Sequence, residues 1–565
     1  MKKSVLATVL AVSLLFTACS TKDQKTTSEN ETSEAVSETT EKTSESETDT
    51  TEDPTDPSVN EIVSYDAPSF GRINYVSYEM NRESVFAFEP RDMSDDVSGG
   101  YNCIDYFLAY YGYPLIKCYN DVKLNDLVKE DCQRILPDAG EYLEGMKDEC
   151  VKEFGNDSYG VTSEYDLTPF VLRADEKITT IYYPYSPDRA AQEDFKELTA
   201  ENLINYDTVV AEKITLSDVV KDKDRFTEIA KERIMDTLTE EDLMIYKESD
   251  VLEFLNSDDI PFTIDYSGIT VYFNIGIFKG YMRAPAHIEY IGNEDVFNAE
   301  YFDSLPENYV LHISPKTDFY WDLDGDGKTE DIYVDIEVGQ ELSEIGSFSI
   351  RIDDQETKVD TSSSTDYDIA ESLMLVHTHG QDFLYIWTVG ADDMMGVSIY
   401  EIVDKKAEDR GVTGKWLKAP CQNFDPEQIE LFEEIYAAGL EIDKAVYHID
   451  KDGKPVTDQE LVSVTDYYGH IFPCLKKDVK VDKVDPKTLE KTGSVTLKAG
   501  TNLWPLFTNR KDWEEEAFEI FKVIDKDTSK EFYVRLDLSF EESEYEASID
   551  GVGVRDLFVR AFLGA

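Results

Sequence analysis

"DFYWDLDGDGKTEDIYVDIEV" occupies residues 318–338, and its reading decides the fold of the second half of the chain. Asp322, Asp324 and Asp326 stand at alternate positions, with Gly325 between them and Gly327 after. Calcium takes about six to eight oxygen ligands, and a loop curling round it presents side chains from its first, third and fifth positions. Glycine at the sixth position, here Gly327, permits the sharp bend. Lys328 follows and offers its backbone carbonyl; Glu330 and Asp331 are the candidates to close the ring. A helix–loop–helix calcium hand ends on a glutamate at the twelfth position, and that position is Tyr333. The flanks, "DFYW" and "IYVDIEV", are aromatic, β-branched and partly alternating, which predicts strands. The expectation is therefore strand, loop, strand, with a structural Ca2+ ion relieving the repulsion of three or four carboxylates.

The run Asp322-x-Asp324-x-Asp326-Gly327 resembles the calcium loops that join strands in integrin-like β-propeller repeats. Those loops close on an acid at the ninth position, normally Asp; here it is Glu330. One copy is present, so a full propeller is not expected.

At the other end, Lys2 and Lys3 precede an apolar run from Val5 to Phe16, too short to span a bilayer permanently. The segment "FTAC" that follows resembles a bacterial lipobox, with Phe16 in place of the usual Leu. That resemblance implies a signal peptide over residues 1–18, cleavage before Cys19, and acyl chains such as palmitate on Cys19. Each buried methylene adds about 0.8 kcal/mol, so several chains make a stable anchor. Residues 19–60 form the lipidated start and a Ser/Thr/Glu tether that cannot bury enough apolar surface to order itself. About 40 flexible residues reach roughly 35 Å. The expected location is the outer face of a bacterial cell membrane.

Formal charge is −65. A field of that sign repels nucleic acid and anionic headgroups and attracts cations and basic proteins. Aromatic residues make up 12% of the chain, including 34 tyrosines, which is ample material for cores. Of seven cysteines, Cys19 goes to lipid, leaving Cys103, Cys118, Cys132, Cys150, Cys421 and Cys474 as candidates for disulfides of unassigned connectivity. No Cys-x-x-Cys spacing, HExxH or GxSxG motif occurs. His377 and His379 flank Thr378, a spacing that puts both on one face of a strand and can bind a metal, though no third ligand can be named.

Residues 61–305 mix strands and helices. "GRINYVSYEM" (71–80), "YPLIKCYN" (113–120) and "KITTIYYPY" (177–185) read as strands. Leu124, Leu127, Val128 and Ile135 recur at near-helical spacing until Pro137 interrupts them, and a second helical stretch covers 142–154. Phe226, Ile229, Ala230, Ile234 and Leu238 make one helical stripe, with Asp222 or Asp224 as its cap. "FTIDYSGITVYFNIGIFKGY" (262–281) reads as a hairpin on a Ser-Gly turn. The order of "YPLI", Leu124-Asn125, "ITLSD" (214–218) and "DYSGITVYFN" (265–274) resembles the extracellular domain shared by a lysozyme-sensing anti-sigma factor and the non-catalytic part of a peptidoglycan deacetylase. The resemblance implies an α+β fold, an antiparallel sheet with packed helices, and a binding role with lysozyme as one family ligand. After "YFN" the chain departs from that family, running Ile275-Gly276-Ile277-Phe278-Lys279-Gly280.

Residues 310–480 form a β-rich domain carrying the calcium loop, with one helix expected over "DPEQIELFEEIYAAG" (425–439). Residues 488–565 form a small β-rich segment whose "LKAGTNLWPL" turn loosely resembles SH3-like barrels, or which completes the preceding β domain; Trp504 and Trp513 are expected in its core, with a ligand groove as the alternative. The fold class is thus α+β, followed by a β-rich domain and a β-barrel-like end. The functional expectation is a non-catalytic binding or sensing lipoprotein at the envelope, its partner a basic protein such as lysozyme or wall glycan, not nucleic acid. The alternatives are a cell-wall hydrolase or accessory factor with an unrecognised carboxylate site, and a substrate-binding lipoprotein of a transporter. Oligomeric state is open.

Overall fold

The computed structural model describes residues 63–90, 104–154, 162–183, 201–238, 246–257, 259–273, 285–338, 345–359, 367–390, 395–417, 423–436, 440–465, 474–509, 516–525, 530–541 and 544–558. Residues 64–186 and 196–565 belong to one unit. Cys19 and the tether lie outside the described residues, as do Cys103, Cys421, Trp513 and the divergent stretch 275–280. Among the described residues, no helix is long and apolar enough to cross a membrane.

Among the described residues, the α+β region holds three sheets of three or four strands and one two-stranded sheet. Strands Tyr78–Pro90 and Ile104–Ile116 pair antiparallel in full register, and Thr162–Leu167 joins the second of them in parallel. Helices Asp121–Ile135 and Ala139–Glu153 pack on this sheet. Leu124, Val128, Cys132 and Ile135 fall at helical spacing, and all four are buried with Phe107, Ala109 and Leu143. A four-stranded antiparallel sheet follows, Phe170–Ala174, Ile178–Tyr182, Leu203–Asp207 and Glu212–Ile214. The Ser-Gly hairpin is present: Phe262–Ile264 pairs with Gly268–Tyr272, and Pro285–Glu289 adds a third strand. Helix Lys223–Thr237 backs that sheet with Phe226, Ala230 and Ile234 fully buried, and Asp222 caps it by accepting the Arg225 N–H at 3.0 Å. "GRINYVSYEM" is not one strand. Gly71–Arg72 pairs in parallel with Ser304–Leu305, and Tyr75 makes a single antiparallel bridge to Asp175, before the long strand begins at Tyr78.

From residue 309 onward strands dominate, as expected. Phe319–Trp321, Glu330–Val338, Ile345–Ile352 and Gln355–Val359 form a four-stranded sheet; Tyr309–His312, Tyr367–Thr378, Gln381–Gly390, Met395–Val403 and Lys406–Thr413 form a five-stranded one. Leu311, Leu375, Leu384 and Ile386 on one face of the five-stranded sheet share a core with Ile332, Val334, Ile350 and Ile352 of the four-stranded sheet. The opposite face, including Val310, Met374, Val376 and Phe383, packs on Ile429, Leu431, Ala445 and Tyr447 of the next sheet. Burial on both faces explains why "LMLV" (373–376) and "FLYIW" (383–387) are continuous apolar runs rather than alternating ones.

The helix expected over 425–439 also fails to appear. Residues 425–439 contain no helix among those described; Ile429–Tyr436 is a strand paired antiparallel with Leu440–Ile449. Ile429 and Leu431 are buried while Glu430 is exposed, so a period of two outweighed the helix-forming composition. Of the two readings of the C-terminal segment, the one in which it completes the preceding β region holds, and no closed barrel forms among the described residues. The segment's strands, from Lys491–Leu497 to Glu544–Ile549, join those of residues 415–465 in one twelve-stranded sheet with an open path. Trp504 is buried, as expected. No disulfide joins Cys118, Cys132, Cys150 and Cys474 to one another.

A buried polar node lies where the four-stranded sheet of the α+β region meets the Ser-Gly hairpin. Arg173 Nε donates to Asp175 Oδ2 at 2.6 Å, and both side chains are sealed from solvent. Asp175 Oδ1 accepts the Lys177 and Ile178 N–H groups at 2.7 and 2.8 Å, fixing the turn. Tyr266 Oη donates to Asp175 Oδ2, its ring lies 4.2 Å from the Arg173 guanidinium, and Arg173 also donates to the Ile264 carbonyl. Next to Tyr266, the buried Asp265 accepts from Ser267 N and Oγ, Gly268 N and, at 3.1 Å, the backbone N–H of His312. Burial pushes the Asp265 carboxyl up, but His287, His312 and the hydrogen bonds from Ser267 and His312 outweigh it and hold its pKa below the ordinary value.

Asp175→Ala is expected to lower unfolding free energy by about 3–5 kcal/mol, because it strands a buried guanidinium; a loss below about 1 kcal/mol in urea titration would remove the node from its central place. Asp265 titrates lower in the folded than in the unfolded state. Its stabilisation is therefore full above an unfolded pKa of about 3.9 and is lost as pH falls through the folded value. Asp265→Asn should flatten the acid limb of the stability–pH curve.

Candidate metal centre

The loop between Phe319–Trp321 and Glu330–Val338 connects two antiparallel strands in register Phe319↔Ile332 to Trp321↔Glu330, the strand–loop–strand arrangement expected from the flanks. Within it, Asp322 Oδ1 accepts the Gly325 N–H at 2.8 Å and Oδ2 the Gly327 N–H at 3.1 Å. Gly325 and Gly327 have φ of 71° and 86°, the left-handed region that glycine enters without a steric penalty. Asp324 Oδ1 accepts from Asp326 N, and Asp326 Oδ1 from Lys328 N. These bonds fold the loop so that carboxylate oxygens of Asp322, Asp324 and Glu330 lie within 4.8 Å of one another.

Of the five acids expected at the ion, three converge. Asp326 stays outside the trio, with its carboxylate turned to the Lys328 N–H. The Lys328 side chain points away and pairs with Asp66. Asp331 also departs from the expectation. Adjacent strand residues face opposite ways, and Asp331 accepts from Arg351 Nη1 at 2.7 Å, while Arg351 Nη2 takes Asp318 at the same distance. Burial raises the Asp331 pKa, Arg351 opposing and Asp318 adding to the rise.

Glu330 is buried at 3% exposure, and sequence reading gave no sign of what satisfies it. Its Oε2 accepts the Leu323 N–H at 2.8 Å, and its Oε1 lies 3.0 Å from Lys405 Nζ. Lys405 comes from the turn between Met395–Val403 and Lys406–Thr413 and also bonds Asp353 at 2.7 Å. Hydrogen bonds to Asp353 and Glu330 hold its pKa well above the usual lysine range. One protein cation thus offsets part of the charge of the trio. The remaining donors are all hard oxygens, which suit Ca2+ or Mg2+ rather than zinc or copper.

A strap from the N-terminal side of the unit crosses this loop. Thr329 N donates to the Tyr65 carbonyl at 3.1 Å, Thr329 Oγ1 accepts from Tyr65 N at 3.0 Å, and Ala67 N donates to Gly327 O at 3.1 Å. Phe70 stacks on Trp321 at 5.4 Å. The strap continues to Leu305, whose carbonyl takes Ile73 N, and to Ala174, whose carbonyl takes Val76 N.

The two strand histidines do not make a metal pair. His377 Nδ1 lies 2.8 Å from Asp382 and its ring stacks on Tyr309 at 4.7 Å. His379 lies beyond the end of the strand, in a turn at φ 54°, and its Nε2 is 2.8 Å from the Ile449 carbonyl. Ser267 Oγ and His287 Nε2 are 3.0 Å apart, but both are buried and the carboxylate of Asp265 orients the serine rather than the histidine.

If the trio holds calcium, an ion at about 100 times its Kd stabilises the fold by about 2.7 kcal/mol. Chelator should lower Tm, and Asp324→Ala should abolish the difference between chelated and calcium-loaded protein; identical melting of the wild type under both conditions would reject the ion. No family model and no curated protein matches the chain.

Proposed function

We propose that the chain is a lipid-anchored ectodomain on the outer face of a bacterial membrane, acting as a binding or sensing module for a basic envelope protein or for wall glycan. In this reading Cys19 carries the lipid, the Ser/Thr/Glu segment of residues 20–60 holds the folded part away from the bilayer, and a Ca2+ ion at Asp322, Asp324 and Glu330 braces the β-rich half. The observation that carries the reading is the N-terminal sequence, an apolar run ending at Phe16-Thr17-Ala18-Cys19 and leading into a tract almost free of large apolar residues. The formal charge of −65 supports a cationic partner, because complementary fields raise encounter rates and disfavour anionic competitors. The convergence of three carboxylates within 4.8 Å supports the structural ion.

Full-length protein should fractionate with membranes and resist high-salt washing, and Cys19→Ala should release it to the soluble fraction; a variant that stays in the membrane pellet would overturn the anchor. Titration with lysozyme at physiological salt should give a saturable isotherm. A signal that disappears with a modest rise in salt would reduce the interaction to bulk charge attraction.

A further inference from the structure

We infer that the N-terminal turn of helix Asp121–Ile135, together with the 208–211 turn, is a docking face for a cationic polypeptide that presents an apolar side chain. This rests on the proposed binding role and identifies the surface that would perform it. Large apolar side chains are seldom left exposed together on a monomer's surface unless something covers them. Here Tyr119 is 94% exposed, Val122 73%, Val209 52% and Val210 47%. The two segments are physically joined. Asn120 Nδ2 donates to the Val209 carbonyl, and Lys123 Nζ donates to the Val210 carbonyl at 2.6 Å.

Hydrogen bonds pin the valine-bearing turn. Asp207 Oδ1 accepts the N–H groups of both Val209 and Val210, at 2.8 and 2.9 Å, which locks the turn with its valines outward. A surface already fixed in its bound shape loses little conformational entropy on docking. The apolar residues flank a concavity of about 590 Å³ lined by Tyr119, Val122, Leu127 and Ala211 among others. Its charged lining is Asp121, Asp126 and Glu130 against Lys123, three negative groups to one positive, a net of −2. Lys123 is itself committed to Val210 O and, at 3.5 Å, to Glu212. Exposed apolar side chains interspersed with acids of net negative charge fit a partner that offers an aliphatic or aromatic side chain between lysines or arginines. Tyrosine is a frequent anchor of binding energy at an interface. The same acids disfavour anionic headgroups and nucleic acid.

The test uses the full chain in nanodiscs of zwitterionic lipid, with empty discs as reference, and two probes of equal charge, a peptide alternating Lys with Leu and an all-Lys peptide. At physiological salt the Lys–Leu peptide should bind saturably and about tenfold tighter than the all-Lys peptide, equivalent to about 1.4 kcal/mol. The double variant Tyr119→Ser/Val122→Ser should lose that preference, and Asp126→Asn/Glu130→Gln should weaken both probes. Both substituted pairs lie on the surface, so an unchanged Tm checks that folding is intact. Val446→Ser, at an exposed position on another strand, should change nothing. Equal affinity of the two peptides, equal binding by wild type and the Tyr119→Ser/Val122→Ser variant, or no binding of either peptide would each overturn this face as the docking site. The anchor and lysozyme experiments judge the broader reading separately, because neither requires these residues.

Discussion

The ion pair between Arg173 and Asp175 is the constraint on which much of the architecture depends. A guanidinium and a carboxylate removed from water are tolerated only when every remaining donor and acceptor finds a partner. Here the partners come from separate pieces of chain: the 175–178 turn, the Ile264 carbonyl and the Tyr266 hydroxyl. Satisfying the pair therefore fixes how the Phe262–Tyr272 hairpin meets the Phe170–Tyr182 strands. Asp265, one residue along, extends the same logic to His312 at the first strand of the five-stranded sheet. A polar core of this kind adds little net stability, but it penalises misplaced alternatives heavily, since any shift leaves a buried charge unpaired.

Much of the local architecture was legible in the sequence. The Phe226/Ala230/Ile234 stripe and its Asp222 cap, the Leu124-to-Ile135 helix ended near Pro137, and the Ser-Gly hairpin all follow from patterns that act within a few residues. The failures share a different cause. "IELFEEIY" has a helix-forming composition, yet its alternation is used because a neighbouring strand and the opposite face of a buried sheet are available to it. The strap of residues 65–76 carries only a partial alternation; its backbone groups are satisfied by Gly327, Thr329, Leu305 and Ala174, which are far away in the chain.

The candidate metal loop divides in the same way. Alternating aspartates and two glycines announced the loop, because turn geometry is local. Which acids would meet was not legible. Glu330 and Asp331 are adjacent in sequence, but the strand pleat sends one to Asp322 and Asp324 and the other to Arg351. Lys405, the cation that satisfies Glu330, belongs to another hairpin and is adjacent only after the two sheets have stacked. The exposed valines at 209 and 210 were equally unreadable beforehand, since nothing in "DTVVAE" says that both side chains are held outward.

The strap has a mechanical consequence. Any tension applied to the chain ahead of residue 64 enters the folded unit at Tyr65 and Ala67, whose first bonds are to Thr329 and Gly327 of the acidic loop. The load path thus runs through the loop before it reaches a sheet. For a protein moored at Cys19 as proposed, pulling on the mooring and filling the loop with an ion would act on the same few hydrogen bonds. By reciprocity, an ion that stiffens the loop raises the force needed to peel the strap, and a taut strap favours or opposes the ion by the same free energy.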